Sequence, residues 1–443
     1  MEKTSSTIID KAEEIGVDVL DRAIKMSRTV IEKTNTMADG INNSQNKPHK
    51  IIMLGGRRSG KSSVLACIID QLQKNTPGNI CTAVQVNQGH LFYDEDNNSY
   101  TMPTLSDKKV EIRNFIKNKL SNSLFVVDMA PTMYKGSYYV QIKTGKSAAM
   151  SLEFVDVPGE AMIPSSTLYP TLTKDISESD VFIITVDTPF LMEAEEDVNL
   201  AYNRIDEITS SMQEINTDEE CKYDKKLILF CPVKCEKWLD EGKGELIADN
   251  ICKAYKTLIN TWVQHPNITI WIMPVVTAGG IEFSKFMDPK IVFKSANDRM
   301  GTSCSVNDLT NTIHYRDGST EKISNKYRFV TDGRYQVELK TIIPIPLPWY
   351  KSNKKGFSPR LCEQPVYHIL RFLAEKENLI NGLKQKQDNN VGWFEKFKRF
   401  LTGYKSPFGK YAQEFSAMVD QISSQGLIKE SGEGFRKLTT PII

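Results

Sequence analysis

Ile51-Ile52-Met53-Leu54-Gly55-Gly56-Arg57-Arg58-Ser59-Gly60-Lys61-Ser62 joins an apolar tetrapeptide to a loop of the form G-x-x-x-x-G-K-[ST], and Ser63 to Gln73 reads as a helix. A strand, a glycine-rich turn and a helix in that order curl backbone N–H groups around phosphate oxygens. They do so at a helix N-terminus, where the dipole favours negative charge. Gly55, Arg57, Arg58, Ser59, Gly60, Lys61, Ser62 and Ser63 are therefore the candidate phosphate-binding residues. Lys61 would reach the β- and γ-phosphates, and the Ser62 hydroxyl would ligate Mg²⁺.

Downstream, apolar runs recur at Tyr139–Ile142, Leu152–Val155, Val181–Val186, Leu227–Cys231 and Ile268–Val276, separated by helix-compatible stretches. Runs this short and continuous predict strands buried on both faces. The expected fold class is α/β, a P-loop NTPase with a mostly parallel sheet flanked by helices. Leu152–Val155 leads into Asp156-Val157-Pro158-Gly159, which places a carboxylate at a strand tip. Asp156 would hold Mg²⁺ through water, and the Gly159 amide would meet the γ-phosphate; the alternative is a plain strand-terminating turn.

The remaining organisation is coarser. Residues 1–46 read as an N-terminal helical segment and linker, since Ile9, Ala12, Ile15, Val19, Ala23 and Ile24 recur at helical spacing. The P-loop domain is expected over 47–283, with an insertion at about 79–130 that would act either as a nucleotide-sensing lid or as a structural elaboration. Residues 284–443 form a C-terminal mixed α+β extension: Asp317-Gly318 and Asp332-Gly333 signal hairpins, and Pro365 to Ile380 reads as a helix. Trp393, Phe394, Phe397 and Phe400 interleave with Lys396, Lys398 and Arg399, a pattern that suits packing on the core, a protein partner or a membrane surface.

Composition narrows the function classes. In 443 residues, Lys+Arg 56 against Asp+Glu 55 leaves a net charge of +1, so no basic excess supports nucleic-acid binding. The eight cysteines include no C-x-x-C pair, Cys231 and Cys235 being the nearest approach, so ordinary reduced thiols are expected. Met1 to Ile9 lacks the basic and apolar blocks of a signal peptide, and no apolar run reaches ~18 residues. A cytoplasmic protein is the expectation, with membrane association not expected.

Taken with this order of motifs, the chain resembles the Ras-like GTPases of the translation-factor-related class. Ala130-Pro131-Thr132-Met133 before the strand Tyr138–Ile142 is similar to their switch I, and Asp156 to Gly159 to their switch II. By that resemblance Thr132 would bind Mg²⁺ and sense the γ-phosphate, with Thr101 and Thr104 as rivals. Val233-Lys234-Cys235-Glu236 resembles the [NT]-K-x-D base motif. Lys234 would pack along the base and Glu236 would accept from guanine N1–H and the exocyclic amine, although Val233 and Glu236 both depart from the pattern. Thr277, Ala278 and Gly279 resemble the fifth motif, whose backbone amide meets guanine O6.

The resemblance implies GTP/GDP and Mg²⁺ as cofactors and a switch with slow or partner-stimulated hydrolysis. A non-hydrolysing scaffold and an ATPase with a relaxed base pocket are the alternatives. Glu160 stands where a water-orienting glutamine is usual, and Arg58 where guanylate-binding proteins carry an internal arginine finger, so Arg58, Glu160 and Thr132 are the candidate catalytic residues. Within the class, Asp156 to Glu160, Pro232 to Trp238 and Ser358 to Pro365 look like the bacterial double-GTPase proteins of conflict systems. That likeness implies defence against phage or stress, with a second GTPase-like or effector protein as partner.

Overall fold

Ile51 and Met53 face one side of their strand and Ile52 and Leu54 the other, and all four are buried. A strand apolar on both sides needs a packed layer on each. In the computed structural model those layers are helices. Described are residues 48–73, 82–88, 105–119, 125–126, 135–144, 146–219, 221, 224–287, 347–353, 355–389 and 407–442, with six short strands between 291 and 337.

The chain begins with β1 (His49–Leu54), α1 (Lys61–Gln73), β2 (Thr82–Gln88), α2 (Leu105–Lys119), β3 (Phe125–Val126), β4 (Gly136–Thr144) and β5 (Ala148–Asp156). There follow α3 (Tyr169–Glu178), β6 (Val181–Asp187), the short helices α4 (Thr188–Glu193), α5 (Glu196–Asn203) and α6 (Ile205–Ser211), and β7 (Lys226–Val233). Next come α7 (Glu236–Asp240), α8 (Gly244–Ala254), α9 (Lys256–Trp262), β8 (Ile268–Ile272) and β9 (Ile281–Met287). Strands β10 to β15 occupy Ile291–Phe293, Ser303–Asn307, Thr312–Tyr315, Thr320–Lys322, Tyr327–Phe329 and Tyr335–Val337. Beyond them lie β16 (Leu347–Ser352), α10 (Glu363–Asn389), α11 (Phe408–Ser424) and β17 (Arg436–Leu438).

Eight strands form the main sheet in the order β17-β8-β7-β6-β1-β5-β4-β2. Neighbours from β8 to β5 are parallel; β17, β4 and β2 join antiparallel. This mostly parallel sheet flanked by helices is an α/β fold of the P-loop NTPase kind. Ile51 and Met53 pack into a layer with α1, α10 and α11, while Ile52 and Leu54 pack into one with α3, α6, α8 and α9. β1 lies between β5 and β6, with β5, β4 and β2 built out on one side of it and β6, β7 and β8 on the other. The carboxyl ends of these three strands therefore frame a crevice of the kind in which doubly wound sheets bind ligands.

Several expected features look different in detail. Ile268–Val276 is a strand only to Ile272, after which Pro274 leads into a loop. Within residues 79–130, β2 extends the sheet by pairing with β4, α2 buries Ile112 and Ile116 in the second layer, and β3 pairs with β16. β14 and β15 pair antiparallel on either side of Asp332-Gly333. The expected helical segment over 1–46, Thr132 with its rivals Thr101 and Thr104, both Asp-Gly turns and the Trp393 to Arg399 stretch lie outside the described residues. Among the described residues no helix is long and apolar enough to cross a membrane.

Candidate functional site

The phosphate loop closes β1 onto α1. Ser59 N–H donates to Gly56 O at 3.2 Å, and Val64 N–H donates to Gly60 O at 2.9 Å, which starts the helix. The Ser59 and Thr185 hydroxyls share a 2.7 Å hydrogen bond, pinning the loop to β6. Lys61 and Ser62 open α1, so their backbone N–H groups are among those a helix leaves without intrahelical acceptors. Lys61 is buried, and its Nζ donates to Gly55 O at 2.9 Å and Gly56 O at 3.0 Å. Burial lowers its pKa to about 8; Asp156 and Glu160 oppose the shift, and the charge of Arg204 adds to it. A cation held against desolvation by two carbonyls gains from any anion that replaces them.

The strand-tip carboxylate meets the loop. Ser62 Oγ donates to Asp156 Oδ2 at 2.6 Å, which brings the two expected metal-binding oxygens together from α1 and β5. Gly159 follows so closely that a Cβ there would sit 2.5 Å from Arg57 N and 2.9 Å from Arg57 Cα. Only glycine fits between this turn and the loop. Glu160 turns its carboxylate to Arg57, Oε1 to NH1 at 3.1 Å. A hydroxyl beside a carboxylate is a hard oxygen pair that suits Mg²⁺, so the residues present fit that ion.

Lys234, Glu236 and the Thr277–Gly279 loop gather on the other side of the phosphate loop. Lys234 adopts a left-handed backbone at φ 57°, and its Nζ donates to Arg58 O at 3.0 Å and to the fully buried carboxylate of Asp187. Glu236 opens α7, is 3% exposed, and accepts the Gly279 N–H at 3.2 Å. Burial raises its pKa to about 7, against hydrogen bonds from its own and the Gly279 backbone N–H. Val276 and Arg360 form an antiparallel bridge, and Ser358 N–H donates to Ala278 O at 3.0 Å, so the segment after β16 backs this loop. The expected base motifs are thus adjacent, and Glu236 is spent in part on the neighbouring motif.

Three participants escaped the sequence reading. Asp187 ends β6 just as Asp156 ends β5, and a carboxylate directly after an apolar run was a usable signal. Tyr202 and Asn203 gave none: a Cβ on Gly56 would fall 2.1 Å from Tyr202 O, so α5 ends against the loop. Asn203 fixes this approach, its Oδ1 accepting from Asp187 N at 2.7 Å and its Nδ2 donating to Asn199 Oδ1 at 2.8 Å.

No family profile and no curated protein matches the chain. Two solved structures of the Saccharomyces cerevisiae Ski7 GTPase-like domain are similar to it at a low level. The one bound to GDP and inorganic phosphate is 15% identical, with 54% of this chain and 45% of that chain covered and a TM-score of 0.30. The one bound to GTP is 16% identical, with 52% and 43% covered and a TM-score of 0.27. The chain therefore spans less than half the length of those domains, and likeness at this level assigns no family.

Proposed function

We propose that this chain binds a purine nucleoside triphosphate, GTP in preference, together with Mg²⁺, and acts as a molecular switch. The 2.6 Å contact between Ser62 and Asp156 carries the reading, because it joins a phosphate loop to a metal-binding strand tip at the sheet's switch point. Ser62 and Asp156, with Thr132, would hold the ion, which when bound neutralises charge on the phosphate oxygens. Lys61 would exchange its two carbonyl acceptors for phosphate oxygens. Gly159, lying against the loop, is placed for its segment to follow what the loop holds, and such order–disorder coupling is how nucleotide switches work.

Hydrolysis rests on Arg58 and Glu160. The Arg57 guanidinium neutralises Glu160, which reduces the repulsion a bare carboxylate would exert on a γ-phosphate. Arg58 takes a left-handed backbone at φ 59°, within the loop itself. Arg58→Ala is expected to lower phosphate release by up to about 10³-fold with nucleotide affinity retained. Equal turnover in variant and parent, measured as phosphate release at saturating GTP, removes Arg58 from catalysis.

An ATPase with a relaxed base pocket is the second reading, and the buried Glu236 favours it. A protonated carboxyl offers guanine one acceptor fewer. Ionisation runs from low to high across pKa ~7, so GTP preference over ATP is expected to rise about tenfold between about pH 6 and pH 8. Competition binding of the two nucleotides across that range checks it, and Glu236→Gln should flatten the profile. Phosphate release with GTP and with ATP, beside Lys61→Ala and Glu236→Ala, separates switch, ATPase and non-hydrolysing scaffold. A defence or stress setting, with a second GTPase-like protein as partner, belongs to the same proposal and is supported by the motif resemblance alone.

A further inference from the structure

β6 ends in a carboxylate that the fold hides from solvent. Asp187 pairs with Val233 in the parallel register of β6 and β7 and is 0% exposed. Its backbone is fixed from α5. The Asp187 N–H donates to Asn203 Oδ1 at 2.7 Å, and Asn203 Nδ2 donates to Asp187 O at 3.3 Å and to Asn199 Oδ1 at 2.8 Å. Both asparagines are buried. Asp187 Oδ2 accepts from Lys234 Nζ, while Oδ1 has no hydrogen-bond partner among the described residues. A carboxylate so deeply buried is costly to keep unless a cation answers it, and here that cation is Lys234.

Lys234 reaches the carboxylate from a left-handed backbone, a conformation that a β-carbon disfavours. The same ammonium donates to Arg58 O at 3.0 Å, so one side chain ties the end of β6 to the phosphate loop. Val233 stands where the [NT]-K-x-D pattern carries a polar residue and has no polar atom to share that task. It meets the loop by apolar contact, its Cγ2 lying 3.2 Å from where a Cβ on Gly60 would be. With the ammonium held by two acceptors, the methylene stem of Lys234 is left as an apolar strip beside the loop. The Lys234 side chain keeps 18% exposure, against none for Asp187.

We propose that Asp187 is a positioning residue for purine binding: it holds the Lys234 ammonium on the phosphate loop so that the stem, and not the charge, faces the base. This role rests on the nucleotide reading given above and adds the group that prepares its base side. Without the carboxylate the ammonium keeps one carbonyl, and the stem loses its fixed direction. The phosphate contacts assigned to Lys61 and Ser62 do not pass through Asp187, so base-side binding suffers first.

Asp187→Asn keeps the shape of the side chain and removes its charge. Isothermal titration of the full chain with GTP and with inorganic tripolyphosphate, both with Mg²⁺, separates base-side from phosphate-side binding. GTP affinity is expected to fall about tenfold in the variant, and tripolyphosphate affinity by no more than about twofold. A merely structural role would move both ligands together. Lys234→Met keeps the stem and drops the ammonium, and in that background Asp187→Asn should cost no further GTP affinity. This second comparison decides the matter where Asp187→Asn alone does not fold, as thermal unfolding shows. Unchanged GTP affinity in folded Asp187→Asn, an equal loss for both ligands, or a further loss in the Lys234→Met background would each overturn the role of Asp187 while leaving the nucleotide reading intact. A parent that binds neither ligand would overturn that reading, and this role with it.

Discussion

Lys61→Ala is expected to weaken triphosphate binding by two to three orders of magnitude, about 3–4 kcal/mol, while leaving the ligand-free fold as stable as the parent or more so. The first half follows, on the proposed function, from removing the buried cation that would exchange the Gly55 and Gly56 carbonyls for phosphate. The second follows from its lowered pKa: at neutral pH the folded state holds an ammonium that burial disfavours. The unfolded chain binds that proton more firmly, so this group's contribution to stability rises as pH climbs from about 8 through the unfolded value of 10.5. Isothermal titration with GTP and Mg²⁺ and thermal melts of both proteins without nucleotide check the two halves. A variant that binds GTP like the parent removes Lys61 from the phosphate site.

Asp180→Ala is expected to destabilise the protein by about 3–5 kcal/mol through a different mechanism, an ion network at the amino ends of the strands. Asp180 Oδ2 meets His49 Nδ1 at 2.7 Å, and its Oδ1 accepts from Lys376 Nζ at 2.6 Å; Lys226 Nζ is 3.7 Å away. His49 Nε2 also meets Glu377 Oε1 at 2.9 Å. Alanine would leave three buried cationic groups short of their common carboxylate. Burial opposes the charged form of His49, but bonds to Asp180 and Glu377 outweigh it and raise its pKa to about 9. Its stabilising effect is full below about 6.5 and is lost as pH rises through about 9. Burial likewise opposes the Asp180 carboxylate, yet Lys376, His49 and Lys226 hold its pKa well below the ordinary value of 3.8, so its contribution persists above that value and fails in acid. Urea unfolding should show the largest parent–variant gap between about pH 4 and pH 6.5, narrowing above about pH 9. A gap under 1 kcal/mol at pH 6 would falsify the network's role.

Much of the fold was legible because its strands are covered on both faces. Burial forces short apolar runs such as Val181–Val186 and Leu227–Cys231, and these need no partner to be recognised. The phosphate loop and Asp156 were readable for a related reason: both follow such a run directly, and their chemistry is local. β17 was not, because Arg436-Lys437-Leu438 has no apolar pattern and takes its strand form only from pairing with β8. The burial of Glu236 was equally hidden, since Arg360 and Ser358, which close over its neighbourhood, lie far along the chain. Tyr202 reaches Gly56 through its backbone carbonyl, and a backbone contact leaves no mark on residue choice except the glycine it requires.

The bridge between Val276 and Arg360 has a consequence for the order in which the protein is made. During synthesis the phosphate loop leaves the ribosome before β5 and β6, its neighbours in the sheet, and can settle once they emerge beside it. The loop behind the expected base pocket waits for residues 356–360 to be translated and settle onto it. On the proposed function, a growing chain would pass through a stage in which it owns a phosphate cradle but no finished means of choosing a purine.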